Sequence, residues 1–284
     1  MDARSFHAAR RMVDTKFGRI ATIEHGAGPA AIFVHGFPLN GYQWRGVIES
    51  VADLRRCVAI DQMGLGHTQV AAGQPLGLTD QAAMVAEVAN ALGATQVDLV
   101  GNDSGGGICQ AFAARFPERV RSLTLTNCEV HDFWPNEQLR NFYDSWRAGT
   151  MVPAMKTIVA DPQLARAAFA PVYEDPAVLT EESVRVYLEP ILASEEKIAA
   201  LSRLALSNTD PAVTVALEPA LRRLETPTVV IWGDADGFFD TRSKHWLAEA
   251  IPGFRRLVSI PQGKLFFPEE HPALVADALR ELWA

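Results

Sequence analysis

The sequence predicts an α/β fold: a mostly parallel eight-stranded sheet with helices on both faces and an inserted helical segment. Three observations predict it. Short apolar runs alternate with helix-like stretches in the first 128 residues and again after residue 216. The intervening stretch, 129–216, is mostly helical in pattern and has no clear strand. Residues able to do chemistry cluster just after the apolar runs, where ligands bind beyond the carboxyl ends of parallel strands.

From the start of the chain, 12–14 and 20–24 read as short strands turned at 16–19. A third strand, 30–34, ends in His35-Gly36-Phe37-Pro38. The strand at 56–60 runs into Asp61-Gln62-Met63-Gly64-Leu65-Gly66. Thr79 opens a helix to 92, with apolar residues at Ala83, Val85, Val88 and Leu92. The apolar run 97–100 is a buried strand, followed by a sharp turn and a helix over 108–116. A strand at 120–126 follows. The segment 129–216 is rich in aromatic residues and reads as a helical cap on a core made of 1–128 and 217–284. Strands resume at 226–232 and 255–260, followed by helices at 241–250 and 273–282.

Apolar residues make up 48% and charged residues 21%, an ordinary globular composition. A formal net charge of −8 without any Lys/Arg cluster argues against nucleic acid as a partner. No apolar run approaches the roughly 20 residues that span a bilayer, so no membrane role is expected. Residues 1–11 lack the apolar stretch of a secretory signal. Cys57, Cys109 and Cys128 are too scattered for a disulfide framework or a zinc site. The expectation is a cytoplasmic monomer or homodimer acting on a small molecule, with no metal and no organic cofactor.

The organising stretch is Gly101-Asn102-Asp103-Ser104-Gly105. Glycines two residues before and after a central residue permit a very sharp strand-to-helix turn. The turn lifts the central side chain above the sheet, and the helix N-terminus beneath it favours negative charge. Asp103 is that residue and reads as a carboxylate nucleophile. Centring the turn on Ser104 would put Asn102 where a small residue is needed.

With His35 to Pro38, Asp61 to Gly66, Gly101 to Gly105, Trp232 to Asp236 and Pro268 to Pro272 in this order, the chain resembles the α/β-hydrolase superfamily over nearly its whole length. An aspartate at the elbow centre resembles its haloalkane dehalogenase, fluoroacetate dehalogenase and epoxide hydrolase branches. The resemblance implies that Asp103 displaces a halide or an epoxide oxygen at an sp³ carbon and forms an alkyl ester. Water then attacks that ester, with the amides of Phe37 and Ser104 as the oxyanion hole. Asp236 occupies the position of the acid that orients a histidine base.

The histidine itself is missing. Its position is Leu265, which accepts no proton. His271 comes six residues too late, and Lys264 carries charge at neutral pH. His131, just after the strand 120–126, is the leading substitute base. Glu129 and Asp132 lie beside it, in a region where family members place acidic catalytic groups. His67 is a second substitute. His35, Trp134, Tyr143, Trp146 and Tyr187 are candidates for the substrate pocket. Ser104 and Phe37 stand where many dehalogenases carry the tryptophan and asparagine that hold the halide, and the Gln62 loop lacks the arginine of the fluoroacetate enzymes. Three readings follow: an Asp103 enzyme for small to medium apolar substrates with its usual base replaced; a non-hydrolytic lyase, isomerase or ligand binder; or a histidine-to-leucine variant that traps the ester.

Overall fold

The computed structural model describes residues 2–284. One sheet contains nine strands: β1 (Arg10–Thr15), β2 (Gly18–His25), β3 (Ala30–Val34), β4 (Arg56–Ile60), β5 (Gln69–Val70), β6 (Val97–Asn102), β7 (Val120–Thr126), β8 (Thr228–Gly233) and β9 (Phe254–Ile260). The order across the sheet is β1-β2-β4-β3-β6-β7-β8-β9, and the two-residue β5 pairs with β2 off this path. β2 pairs antiparallel with β1, β4 and β5. Every pairing from β4 through β3, β6, β7 and β8 to β9 is parallel. The sheet is therefore the mostly parallel one expected, with the short β5 added.

Every residue of β3, β6 and β8 is buried. Central parallel strands are covered on both faces, so they appear in sequence as predominantly apolar runs. The covering helices of the first part are α1 (Ala3–Ala8), α2 (Arg45–Val51), α3 (Leu78–Ala91) and α4 (Ser104–Arg115). α4 starts directly after Asp103, four residues earlier than the apolar pattern indicates.

Between β7 and β8 the regular elements are all helical among the described residues: α5 (Glu137–Arg147), α6 (Met151–Ala160), α7 (Pro162–Phe169), α8 (Glu181–Leu192), α9 (Glu195–Ala205), and the short α10 (Ala212–Val215) and α11 (Glu218–Leu221). Polar caps set several of their starts: Asn136, Asp161, Thr180 and Ser194 each accept a backbone N–H of the following first turn. α5 buries Leu139, Tyr143 and Trp146, a four-then-three spacing that makes one apolar face. The chain closes with α12 (Arg242–Ala250), α13 (Phe267–Glu270) and α14 (Pro272–Trp283). Among the described residues no helix is long and apolar enough to cross a membrane.

Candidate active site

Asp103 joins β6 to α4 with φ 54° and ψ −130°, a strained backbone for a residue with a side chain. Its N–H donates to Asn127 O at 2.7 Å, and its carbonyl accepts the N–H of Gly106 at 2.8 Å. The glycines that flank it have no room for a side chain. A Cβ on Gly101 would lie 2.4 Å from Gly105 O, and one on Gly105 would lie 2.1 Å from Val34 O. This crowding explains why a helix begins inside a glycine run, despite the weak helix propensity of glycine.

The loop after β3 closes over the carboxylate. Phe37 N–H donates to Asp103 Oδ2 at 2.7 Å. Ser104 N–H also bonds the Asp103 carboxylate. A Cβ on Gly36 would lie 2.8 Å from Asp103 Cβ, so only glycine permits this approach. A chain of buried side-chain amides fixes the loop. Gly36 N–H donates to Gln43 Oε1 (2.9 Å), Gln43 Nε2 to Asn102 Oδ1 (2.7 Å), and Asn102 Nδ2 to Leu265 O (2.9 Å). His35 is fully buried behind the loop and does not line the cavity. Its Nε2 accepts the Gln62 N–H at 3.0 Å, which leaves the proton on Nδ1 to bond Gly36 O at 2.9 Å. Burial lowers its pKa, and it stays neutral.

Asp103 opens into a cavity of about 240 Å³. Phe37, Leu265 and Phe266 form its wall on the core side; Leu139, Phe142, Tyr143 and Trp146 of α5 face them. Phe37 packs edge-on against Phe142 and Trp146, with both pairs of ring centres 5.8 Å apart. The polar lining includes Gln62, Ser104 and a second carboxyl, Glu129. Gln62 Nε2 donates to Ser104 Oγ at 3.0 Å. No lysine, arginine or histidine lines the cavity among the described residues.

Burial pushes the Asp103 carboxyl well above the usual aspartate range, and the nearby Glu129 adds to this against the two amide donors. Burial pushes Glu129 up to about 7. Its Oε2 has no hydrogen-bond partner and lies 3.1 Å from where a Cβ on Gly107 would stand, against the first turn of α4. The Tyr143 hydroxyl is pushed up by burial and then by both carboxylates, so it keeps its proton.

Other expected site residues fall elsewhere. Asp236 is not in the lining. It accepts from Asn127 Nδ2 at 2.8 Å and from the N–H groups of Phe238 and Phe239, and burial raises it to about 6. Leu265 does form part of the wall, whereas Lys264 turns away to donate to Ala170 O at 2.8 Å. His131, expected as the substitute base, is not brought to the cavity. Its φ is 48°, and its ring nitrogens bond Asp132 (2.8 Å) and Glu218 (3.0 Å). His67 stands beside His7 and Asp61, also away from the cavity. Trp134 is spent on structure, donating from Nε1 to Thr214 Oγ1 at 2.8 Å. Tyr187 packs against Tyr42, outside the lining. Tyr143 and Trp146 do face the cavity, and the indole N–H of Trp146 has no hydrogen-bond partner. The sequence offers Glu129 only as a neighbour of His131; the available signal is its place three residues beyond Thr126, the last residue of β7, which pairs with β6.

Residues 29–272 match the model of a family described as alpha/beta hydrolase fold. Haloalkane dehalogenase 2 of Mycobacterium tuberculosis is 27% identical over 282 residues, covering 95% of this chain and 93% of its own length. Among solved structures, an epoxide hydrolase, CorEH, superposes with a TM-score of 0.80 at 21% identity, covering 96% of this chain and 98% of its own. The haloalkane dehalogenase DbeA of Bradyrhizobium elkani USDA94 also reaches 0.80 at 21% identity, covering 96% and 97%. The last two show a shared fold. With its sheet order, its elbow at Asp103 and its loop at Phe37, the chain belongs to the alpha/beta hydrolase fold family, among hydrolase-like enzymes.

Proposed function

We propose that the protein forms a covalent alkyl ester through Asp103 on a small to medium apolar substrate bearing an epoxide or carbon–halogen bond. One observation carries this reading: Phe37 N–H donates to the Asp103 carboxylate itself, at 2.7 Å. In a serine hydrolase the oxyanion donors address the carbonyl of the substrate. Here they address an oxygen of the nucleophile. Once Oδ1 has displaced the leaving group, Oδ2 is the carbonyl oxygen of the ester, and it becomes the oxyanion when water adds. The apolar walls suit an uncharged substrate. The activities named for the relatives, haloalkane dehalogenase and epoxide hydrolase, agree with this chemistry. Residues 129–216 then serve as a cap on a core of 1–128 and 217–284, supplying the aromatic wall from α5.

The test uses heavy-oxygen water with styrene oxide and, separately, 1-bromobutane. Repeated turnover labels the Asp103 carboxylate with heavy oxygen; a stalled reaction leaves an ester on the peptide holding residue 103. Asp103→Asn gives neither. A second reading, a ligand binder or non-hydrolytic enzyme, is favoured by the lack of any imidazole in the lining among the described residues. It prevails if the unaltered protein binds these compounds yet shows neither label nor adduct.

A further inference from the structure

We propose that Glu129 is the proton relay of this site, standing in for the absent imidazole, and that its neutral resting form selects epoxides over alkyl halides. The proposal rests on Asp103 being the nucleophile. Three features support it. Glu129 lines the same cavity as Asp103, whereas no histidine, lysine or arginine does among the described residues. Its Oε2 is buried without a hydrogen-bond partner, so nothing in the wall competes for it. The Asp103 carboxylate, by contrast, receives the N–H groups of Phe37 and Ser104. Two buried carboxyls without a cation hold one negative charge at most near neutral pH. The two amide donors favour that charge on Asp103, against the burial that raises its carboxyl, and the cycle starts with the shared proton on Glu129. The titratable groups facing Glu129 are Asp103 from the elbow, Tyr143 from α5 and Cys128 from its own loop, and all of them are acids.

This distribution fits epoxide opening step by step. Asp103 Oδ1 attacks the epoxide carbon, and the carbon–oxygen bond breaks. The proton of Glu129 passes to the departing oxygen, which becomes a hydroxyl while still attached to the substrate. Glu129 is now a carboxylate. It takes a proton from water as the water oxygen adds to the ester carbonyl. The tetrahedral intermediate collapses, the ester carbon–oxygen bond breaks, and the new carboxyl proton goes to the departing alkoxide. A diol leaves, with Asp103 ionised and Glu129 protonated as at the start. An alkyl halide does not fit this cycle. Its first step uses no proton, so Glu129 stays neutral and no base is ready for the ester. It also releases an anion into a cavity without a cation.

The test compares wild type, Glu129→Gln and Tyr143→Phe in single and multiple turnovers of styrene oxide, with peptide mapping of any ester. Wild type is expected to hydrolyse the epoxide with a bell-shaped pH profile whose basic limb falls near 7, where Glu129 loses its proton. Glu129→Gln should lose about 100-fold or more in turnover, lose the basic limb, and hold the ester on Asp103. Formate should partly restore turnover to Glu129→Ala, which a purely structural role would not allow. 1-Bromobutane should leave a long-lived ester on wild type. Hydrolysis by Glu129→Gln within twofold of wild type, with the same pH profile, overturns the relay while leaving Asp103 as nucleophile. So does a loss confined to Tyr143→Phe. Wild type that never carries label or ester on residue 103 overturns the nucleophile reading, and the relay falls with it.

Discussion

Leu265, read from the sequence as standing at the position of a histidine base, is tied to the elbow through its backbone, because its carbonyl accepts Asn102 Nδ2 at 2.9 Å. Its side chain fills the cavity wall beside Asp103 and Phe266. Leu265→His would put an imidazole there at similar volume. The expected outcome is at least tenfold faster breakdown of the Asp103 ester, measured by single-turnover mass spectrometry, because a positioned general base typically contributes about 100-fold or more. An unchanged rate would mean that water is not reached from that side. Asp103, Phe37 and Ser104 were legible in the sequence because glycines at Gly36, Gly101 and Gly105 mark close backbone approaches that no side chain tolerates. Glu129 and His131 were not told apart. They are two residues apart, yet one faces the cavity and the other the surface, and the positive φ that separates them leaves no mark on a histidine.

α5 shows how one element brings the inserted segment to the site. Asn136 caps it, accepting Leu139 N–H at 3.0 Å, and donates from Nδ2 to Gly237 O at 2.7 Å in the loop after β8. One side chain thus starts the helix and ties it to the core. Asn136→Ala should cost about 1 kcal/mol of stability, the usual worth of an N-cap, read as a lower midpoint in urea unfolding. The strands at 30–34, 56–60 and 120–126 were readable to the residue, the first as a plain apolar run and the other two from the apolar residues spaced along them. The start of α4 was misread because Gly105, Gly106 and Gly107 look like a loop. α1 and α2 were missed because six or seven residues give too little periodicity to see.

For the whole molecule, buried carboxyls set the response to pH. Glu129 and Asp236 are both raised by burial, to about 7 and about 6. The folded state therefore binds protons that the unfolded chain has already released. Their contribution is fully present below the ordinary carboxylate range and is lost as pH rises through the raised values. Thermal stability should accordingly fall as pH rises from about 4.5 through 7. Glu129→Gln should flatten that decline and raise stability at pH 8 by on the order of a few kcal/mol, measured by calorimetry across the range. A steeper decline in the variant would contradict the buried, unpaired state of Glu129.

Among the described residues the cavity is lined by carboxyls and by no cationic side chain, and this has a consequence for traffic. Chloride, phosphate and carboxylate buffers meet only negative or neutral groups there, with the two oxyanion amides already engaged on Asp103. Apart from the unpartnered indole N–H of Trp146, salts of that kind meet no charged foothold there. If the proposed epoxide chemistry holds, the neutral diol leaves without an ionic tether, so its departure does not wait on the breaking of a salt bridge.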